Sequence, residues 1–249
     1  MAHIPRLYIE TEFRAGREVS LNTDQMHHLR HVLRLKQGAS VKAFNGQDGE
    51  WLCALVGQSK HIALKIEKKL RDMPAHQTPA LTLVFAPIRK ARQDFMMEKA
   101  TELGIAHLQP VKTAYSQIHS LKSERIRAQL IEAAQQSERL DIPALYELCS
   151  LDSLLETWPE CRPLIFCDEA GGGAPLLAVL NALQKAADKP LDGAGILIGP
   201  EGGFSPEERA RVKAFSFIQP VSLGPNILRA ETAALSAIVI CQSALGGWG

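Results

Sequence analysis

Hydrophobic positions along the chain follow two different periods. Up to about residue 73 the apolar runs are short and alternate with polar residues: Val41-Lys42-Ala43-Phe44, Glu50-Trp51-Leu52-Cys53-Ala54-Leu55-Val56 and His61-Ile62-Ala63-Leu64-Lys65-Ile66. A period of two marks half-buried strands. Between the first two runs, Asn45-Gly46-Gln47-Asp48-Gly49 supplies the residues of a hairpin turn. One helical pattern, roughly Asp24–Leu35, interrupts the set. Together these predict a small β-barrel carrying one helix.

The segment Arg71–Pro79 is polar with two prolines and reads as a linker, giving domains of 1–73 and 74–249. Beyond it, apolar strand-like runs at Leu81–Pro87, His107–Val111, Leu164–Cys167, Gly195–Ile198 and Pro220–Leu223 alternate with helical stretches. The helices fall at about Gln93–Leu103, Ser123–Leu140, Pro175–Leu183, Pro206–Phe215 and Glu231–Leu245. This alternation predicts an α/β fold with a largely parallel sheet covered by helices.

Composition narrows the class. An apolar content of 46% with 22% charged residues is ordinary for a globular protein. No apolar run is long enough to span a bilayer, and Met1-Ala2-His3-Ile4-Pro5-Arg6 lacks an apolar signal region, so a cytoplasmic location is expected. The five cysteines form no C-x-x-C pair and their odd count and scatter argue against a disulfide framework or a zinc knuckle. Residues 1–73 hold 12 Lys and Arg against 8 Asp and Glu; the remainder holds 16 against 19. A basic module beside a mildly acidic one is compatible with RNA docking on the first and chemistry on the second.

The densest signal is a pair of segments near the C-terminus. Ile196-Leu197-Ile198-Gly199-Pro200-Glu201-Gly202-Gly203-Phe204-Ser205-Pro206-Glu207-Glu208 and Leu223-Gly224-Pro225-Asn226-Ile227-Leu228-Arg229-Ala230-Glu231-Thr232-Ala233 each read as strand, Gly/Pro-rich turn and helix start. Glycines beyond a strand's carboxyl end let backbone approach a ligand. Either loop alone is compatible with an ordinary strand–helix turn. The spacing is neither G-x-G-x-x-G nor G-x-x-x-x-G-K, which leaves dinucleotide and P-loop sites unsupported.

Taken together, the two segments closely resemble the signature of SPOUT-class RNA methyltransferases, and within that class the RsmE family, the ribosomal RNA small subunit methyltransferases E. Looser matches at Ile4-Pro5-Arg6-Leu7-Tyr8, His28–Arg34, Lys99–Gly104 and Glu132–Arg139 extend the resemblance over nearly the whole chain. It implies a PUA-like RNA-binding module, a C-terminal trefoil knot, a homodimer, and methyl transfer from S-adenosylmethionine to N3 of a uridine in 16S rRNA of the small ribosomal subunit. It also implies a cofactor pocket lined by Ile198, Gly199, Glu201, Gly202, Leu223, Gly224 and Leu228, with Cys167-Asp168-Glu169 closing a third side. Two positions depart from the family pattern: Ala114-Tyr115-Ser116 and Asn226 stand where relatives often carry Arg.

A uridine N3 must lose its proton before it attacks, so a cation near a carbonyl oxygen and a proton acceptor are wanted. Arg229 is the candidate cation; its alternative task is an ion pair with Glu231 or Glu201 that shapes the turn. Glu201 and Glu231 are candidate bases, though each also suits a helix N-terminus. Arg6, Arg30 and Arg34 are candidate RNA contacts or ordinary solvated charges. His27 and His31 have the i, i+4 spacing of a metal pair but no third ligand, so no metal is assigned. Phe204 either covers the ligand or pins the following helix, and Trp51 reads as core. The competing readings are a SPOUT methyltransferase for another rRNA or tRNA position, and a non-catalytic ribosome assembly protein.

Overall fold

The computed structural model describes residues 4–58, 61–74, 80–118, 120–245 and 248. The second half of the expected linker, residues 75–79, lies outside them. The chain forms two units: 1–75 together with 134–142, and 76–133 together with 143–249. The return of 134–142 to the first unit is not announced by the sequence.

In the first unit, β1 (Arg6–Tyr8), β2 (Glu18–Ser20), β3 (Ser40–Phe44), β4 (Glu50–Gln58) and β5 (His61–Arg71) form one sheet in the order β1-β3-β4-β5-β2. All pairings are antiparallel except β1 with β3. The β3–β4 turn closes as expected, with the Asn45 carboxamide oxygen accepting from the Gln47 and Asp48 N–H groups at 2.9 and 2.8 Å. Alternate residues Val41, Ala43, Cys53, Leu55, Leu64 and Ile66 bury one face.

The single helix is not continuous. α1 (Thr23–His27) starts on an Asn22–Gln25 capping box, then gives way to a π-helical turn at His28–Val32. Arg34 follows with φ of +53°, so it stands in a left-handed turn rather than on a helix face.

Arg6 departs furthest from its expected role. Its side chain is only 3% exposed. Nε donates to Glu50 at 2.7 Å, Nη1 to the Ala134 and Gln135 carbonyls, and Nη2 to the Arg139 carbonyl at 2.7 Å. A buried guanidinium with every edge committed is an internal clamp, and Arg6 is withdrawn as an RNA contact.

The second unit contains β6 (Ala80–Phe85), α2 (Lys90–Glu102), β7 (His107–Lys112), α3 (Ser123–Gln136), β8 (Ala144–Leu145), β9 (Cys149–Ser150), α4 (Leu151–Thr157), β10 (Leu164–Cys167), β11 (Ala174–Pro175), α5 (Leu176–Ala186), β12 (Gly193–Ile198), α6 (Pro206–Lys213), β13 (Ile218–Ser222) and α7 (Ala230–Leu245). The last residues of α3 belong to the first unit. The sheet runs β11-β13-β10-β12-β6-β7-β8 and every pairing is parallel. Both faces are buried, and the alternation decides which residue serves which side. Ile196 and Ile198 join one core with α2, α5 and α7, while Leu197 joins the other with α4 and α6. Ile165 and Phe166 divide the same way. The sequence reading missed α4 and the two-residue strands, which are too short to show a period.

Candidate active site

The carboxyl ends of three adjacent strands meet in register. Cys167, the last residue of β10, pairs with Ile198 of β12 on one side and Val221 of β13 on the other. The loops that follow therefore converge beyond one sheet edge, where open α/β sheets bind ligands. They enclose a cavity of about 460 Å³ within the second unit, within the usual range for small-molecule sites.

The loop after β12 is built from inside. Phe204 is buried and packs edge to face on Phe166, ring centroids 5.1 Å apart. Its ring lies against Gly199, where an added Cβ would stand 2.7 Å from Cε2. Phe204 thus pins the loop from the core and does not cover the ligand. Gly203 has φ of +70°, and the Glu169 carboxylate occupies the space a side chain there would need. Glu169 also accepts from the Phe204 N–H at 3.2 Å and pairs with Arg209. The helix start read from Ser205-Pro206-Glu207-Glu208 is that of α6, and Ser205 and Glu208 form a capping box there. Glu208 additionally accepts from the Ala114 N–H at 2.7 Å, which fixes the turn bearing Tyr115.

The central loop is anchored by Asp168. Its buried carboxylate accepts from Arg209 Nε at 2.9 Å, lies 2.8 Å from Lys213 Nζ, and accepts from the Ala170 N–H. Burial alone would raise its pKa, but Lys213, the Ala170 N–H and Arg209 together hold it below the ordinary carboxylate value. Burial pushes the Cys167 thiol up, so it serves the wall as an apolar group rather than a nucleophile.

Of the residues named from sequence, Cys167, Glu169, Ile198, Gly199, Glu201, Leu223, Gly224, Leu228 and Arg229 all line the cavity. Gly202, named with them, does not line it: it is exposed, with its face turned to Tyr115. Glu201 is exposed and its Oε1 lies 3.4 Å from the Arg89 N–H. Arg229 is exposed and, among the described residues, its guanidinium has no hydrogen-bond or ion-pair partner. Neither of the pairings considered for it is formed. Glu231 instead is buried and faces Arg92, 3.8 Å away. Arg92, which also lines the cavity, was not anticipated: it sits inside a helix whose pattern reports only packing.

In the first unit, Arg30 donates to the Leu35 carbonyl at 3.2 Å, and Arg34 is exposed. The His27 and His31 rings stack 5.0 Å apart. Among the described residues no group of three His, Cys, Asp or Glu side chains is arranged to hold a metal ion.

Comparison with known proteins accords with this geometry. A family model described as an RNA methyltransferase domain matches residues 76–242, and one described as an RNA methyltransferase PUA domain matches 21–67. The ribosomal RNA small subunit methyltransferase E of Rickettsia conorii is 30% identical over 94% of this chain and 93% of its own length. This chain belongs to the RsmE family. The Synechocystis member is likewise 30% identical, over 94% of this chain and 75% of its own. The crystal structure of the RsmE protein from Neisseria gonorrhoeae, bound to S-adenosyl methionine, superposes with a TM-score of 0.80 at 27% identity, covering 97% of this chain and 98% of that one. The α/β parallel-sheet fold with a small N-terminal PUA-like domain is therefore that of the RsmE family.

Proposed function

We propose that this protein transfers a methyl group from S-adenosylmethionine to N3 of a uridine in 16S rRNA, acting on the small ribosomal subunit. The observation that carries the reading is the convergence of three loops from adjacent parallel strands on a cavity bearing an arginine unpaired among the described residues. Membership of the RsmE family supports the reaction class.

The cavity suits the cofactor. Ile198, Leu223 and Leu228 give apolar wall, and Gly199 and Gly224 leave main-chain groups accessible to an adenine edge. When bound, S-adenosylmethionine supplies an electrophilic methyl group on a sulfonium. The chain's own residues have the other half of the problem, the protonated imide nitrogen of uracil. Arg229 offers an uncommitted cation to a uracil carbonyl oxygen, stabilising the charge that develops as the N3 proton leaves. Glu201 is the carboxylate at the cavity wall with an oxygen available to accept that proton. Glu231 is set aside as the base, because it is buried against Arg92.

Arg30 and Arg34 are proposed to contact rRNA phosphates from the first unit. A homodimer is part of the same reading and rests on the resemblance to the RsmE family. No helix among the described residues is long and apolar enough to cross a membrane, in keeping with action on ribosomes in the cytoplasm.

The test is an assay with methyl-labelled S-adenosylmethionine and small subunits from cells lacking the gene, read by nucleoside mass spectrometry. A single new 3-methyluridine is expected. A different methylated nucleoside would move the target, and absence of both incorporation and cofactor binding would leave the reading as a non-catalytic ribosome assembly protein.

A further inference from the structure

The charges around the cavity are unevenly spent. Asp168 and Glu169 are tied to Arg209 and Lys213 behind the wall, and Glu201 faces the Arg89 N–H. Two cations at the cavity are not spent in this way. Arg229 is free among the described residues, and Arg92 comes nearest Glu231 at Nε, 3.8 Å from Oε1 and beyond hydrogen-bond reach, so its guanidinium has no hydrogen-bond partner among those residues. Glu231 is itself buried, and its Oε2 has no partner among the described residues. A buried carboxylate placed at the first turn of α7 tolerates that site electrostatically, and from there it faces the Nε side of the Arg92 guanidinium.

We infer that Arg92 is an anion-holding residue of the pocket and that Glu231 is its positioning residue. A guanidinium whose nearest counter-ion lies on its Nε side keeps its two Nη groups as an uncommitted fork, the geometry that receives two oxygens of a carboxylate or phosphate. Arg229 and Arg92 then divide the work: Arg229 serves the uracil carbonyl, and Arg92 holds a full anion of a bound partner. Two such anions enter this site, the α-carboxylate of the cofactor and the backbone phosphate of the target nucleotide. The inference rests on the methyltransferase reading above, and the wild-type enzyme is the control for that reading.

The experiment compares wild type, Arg92→Ala, Arg92→Lys and Glu231→Gln by calorimetric binding of S-adenosylhomocysteine and of 5′-methylthioadenosine, which lacks the carboxylate, and by steady-state kinetics on small subunits at several salt concentrations. If the anion is the cofactor carboxylate, wild type prefers S-adenosylhomocysteine, and Arg92→Ala loses that preference by on the order of 10- to 100-fold. If it is the phosphate, cofactor binding is unchanged while KM for small subunits rises and the log–log salt slope becomes shallower by about one. Arg92→Lys, which keeps the charge without the fork, recovers only part of either effect, and Glu231→Gln follows Arg92→Ala in direction. An active wild type with an Arg92→Ala variant that matches it in both affinities, KM and salt slope would overturn the assignment. A wild type that neither binds S-adenosylhomocysteine nor methylates rRNA would instead remove the reading beneath it.

Discussion

Phe204 lies directly behind Gly199: a Cβ on Gly199 would stand 2.7 Å from Phe204 Cε2, and the ring is buried and packs edge to face with Phe166. The ring therefore has no room to retreat, and Gly199→Ala should push the loop toward the cavity. The expected result is a fall of about tenfold or more in affinity for S-adenosylhomocysteine with the fold retained. Phe204→Leu in the same chain should return part of that affinity, because the two changes meet at one point. Gly224 differs, since nothing lies within 4 Å of its added Cβ but its φ is +125°; Gly224→Ala should weaken binding through backbone strain and gain nothing from Phe204→Leu.

Arg229 has no side-chain partner among the described residues to lose. Arg229→Ala should change unfolding free energy by less than about 0.5 kcal/mol. The kcat on small subunits should fall by about 100-fold or more, as for removal of a group that stabilises developing charge. Cofactor affinity should stay near wild type. An unchanged kcat would take Arg229 out of the chemistry.

Much of the candidate site was legible because its chemistry is local. The loops after β12 and β13 announce themselves through glycine and proline beside apolar strands, and the capping box Ser205–Glu208 is written within four residues. The parallel sheet followed from alternation of strand and helix. What stayed hidden depends on partners far along the chain. Arg6 resembles a terminal surface cation until it meets Glu50 and the carbonyls of Ala134, Gln135 and Arg139. Arg92 became visible only when α7 brought Glu231 beside it. The π-helical turn at His28–Val32 leaves no mark in a pattern of apolar spacing.

Asp168 makes acid stability sensitive to one carboxylate. Its folded-state pKa lies below the ordinary 3.8 despite burial, through Lys213, the Ala170 N–H and Arg209. A depressed carboxylate contributes stability that is complete above the unfolded pKa and is lost as pH falls through the folded one. Asp168→Asn should therefore melt lower than wild type at neutral pH, and the gap should close below about pH 4. A gap in Tm that stays constant from about pH 7 to about pH 3 would show that the folded and unfolded pKa values of Asp168 do not differ and that it contributes by packing alone.

Arg6 and Arg34 should separate stability from RNA docking. Breaking a buried ion pair from one side costs about 3 kcal/mol, at the low end of its range here because Arg71 still reaches Glu50 at 3.0 Å. Arg6→Ala also strips the donors from the carbonyls of Ala134 and Gln135 at the end of α3 and of Arg139 in the segment after it. Its urea midpoint should drop accordingly. Arg34 is the opposite case: an exposed residue held at φ of +53°, where glycine sits with less strain. Arg34→Gly should leave stability equal or raise it, while binding to small subunits weakens and its salt slope becomes shallower by about one. A protein that keeps a strained cation where glycine would be easier is spending conformational energy on the charge. If Arg34→Gly bound small subunits with wild-type affinity and salt slope, that charge would have no part in docking, and the proposed RNA contact would pass to Arg30 alone.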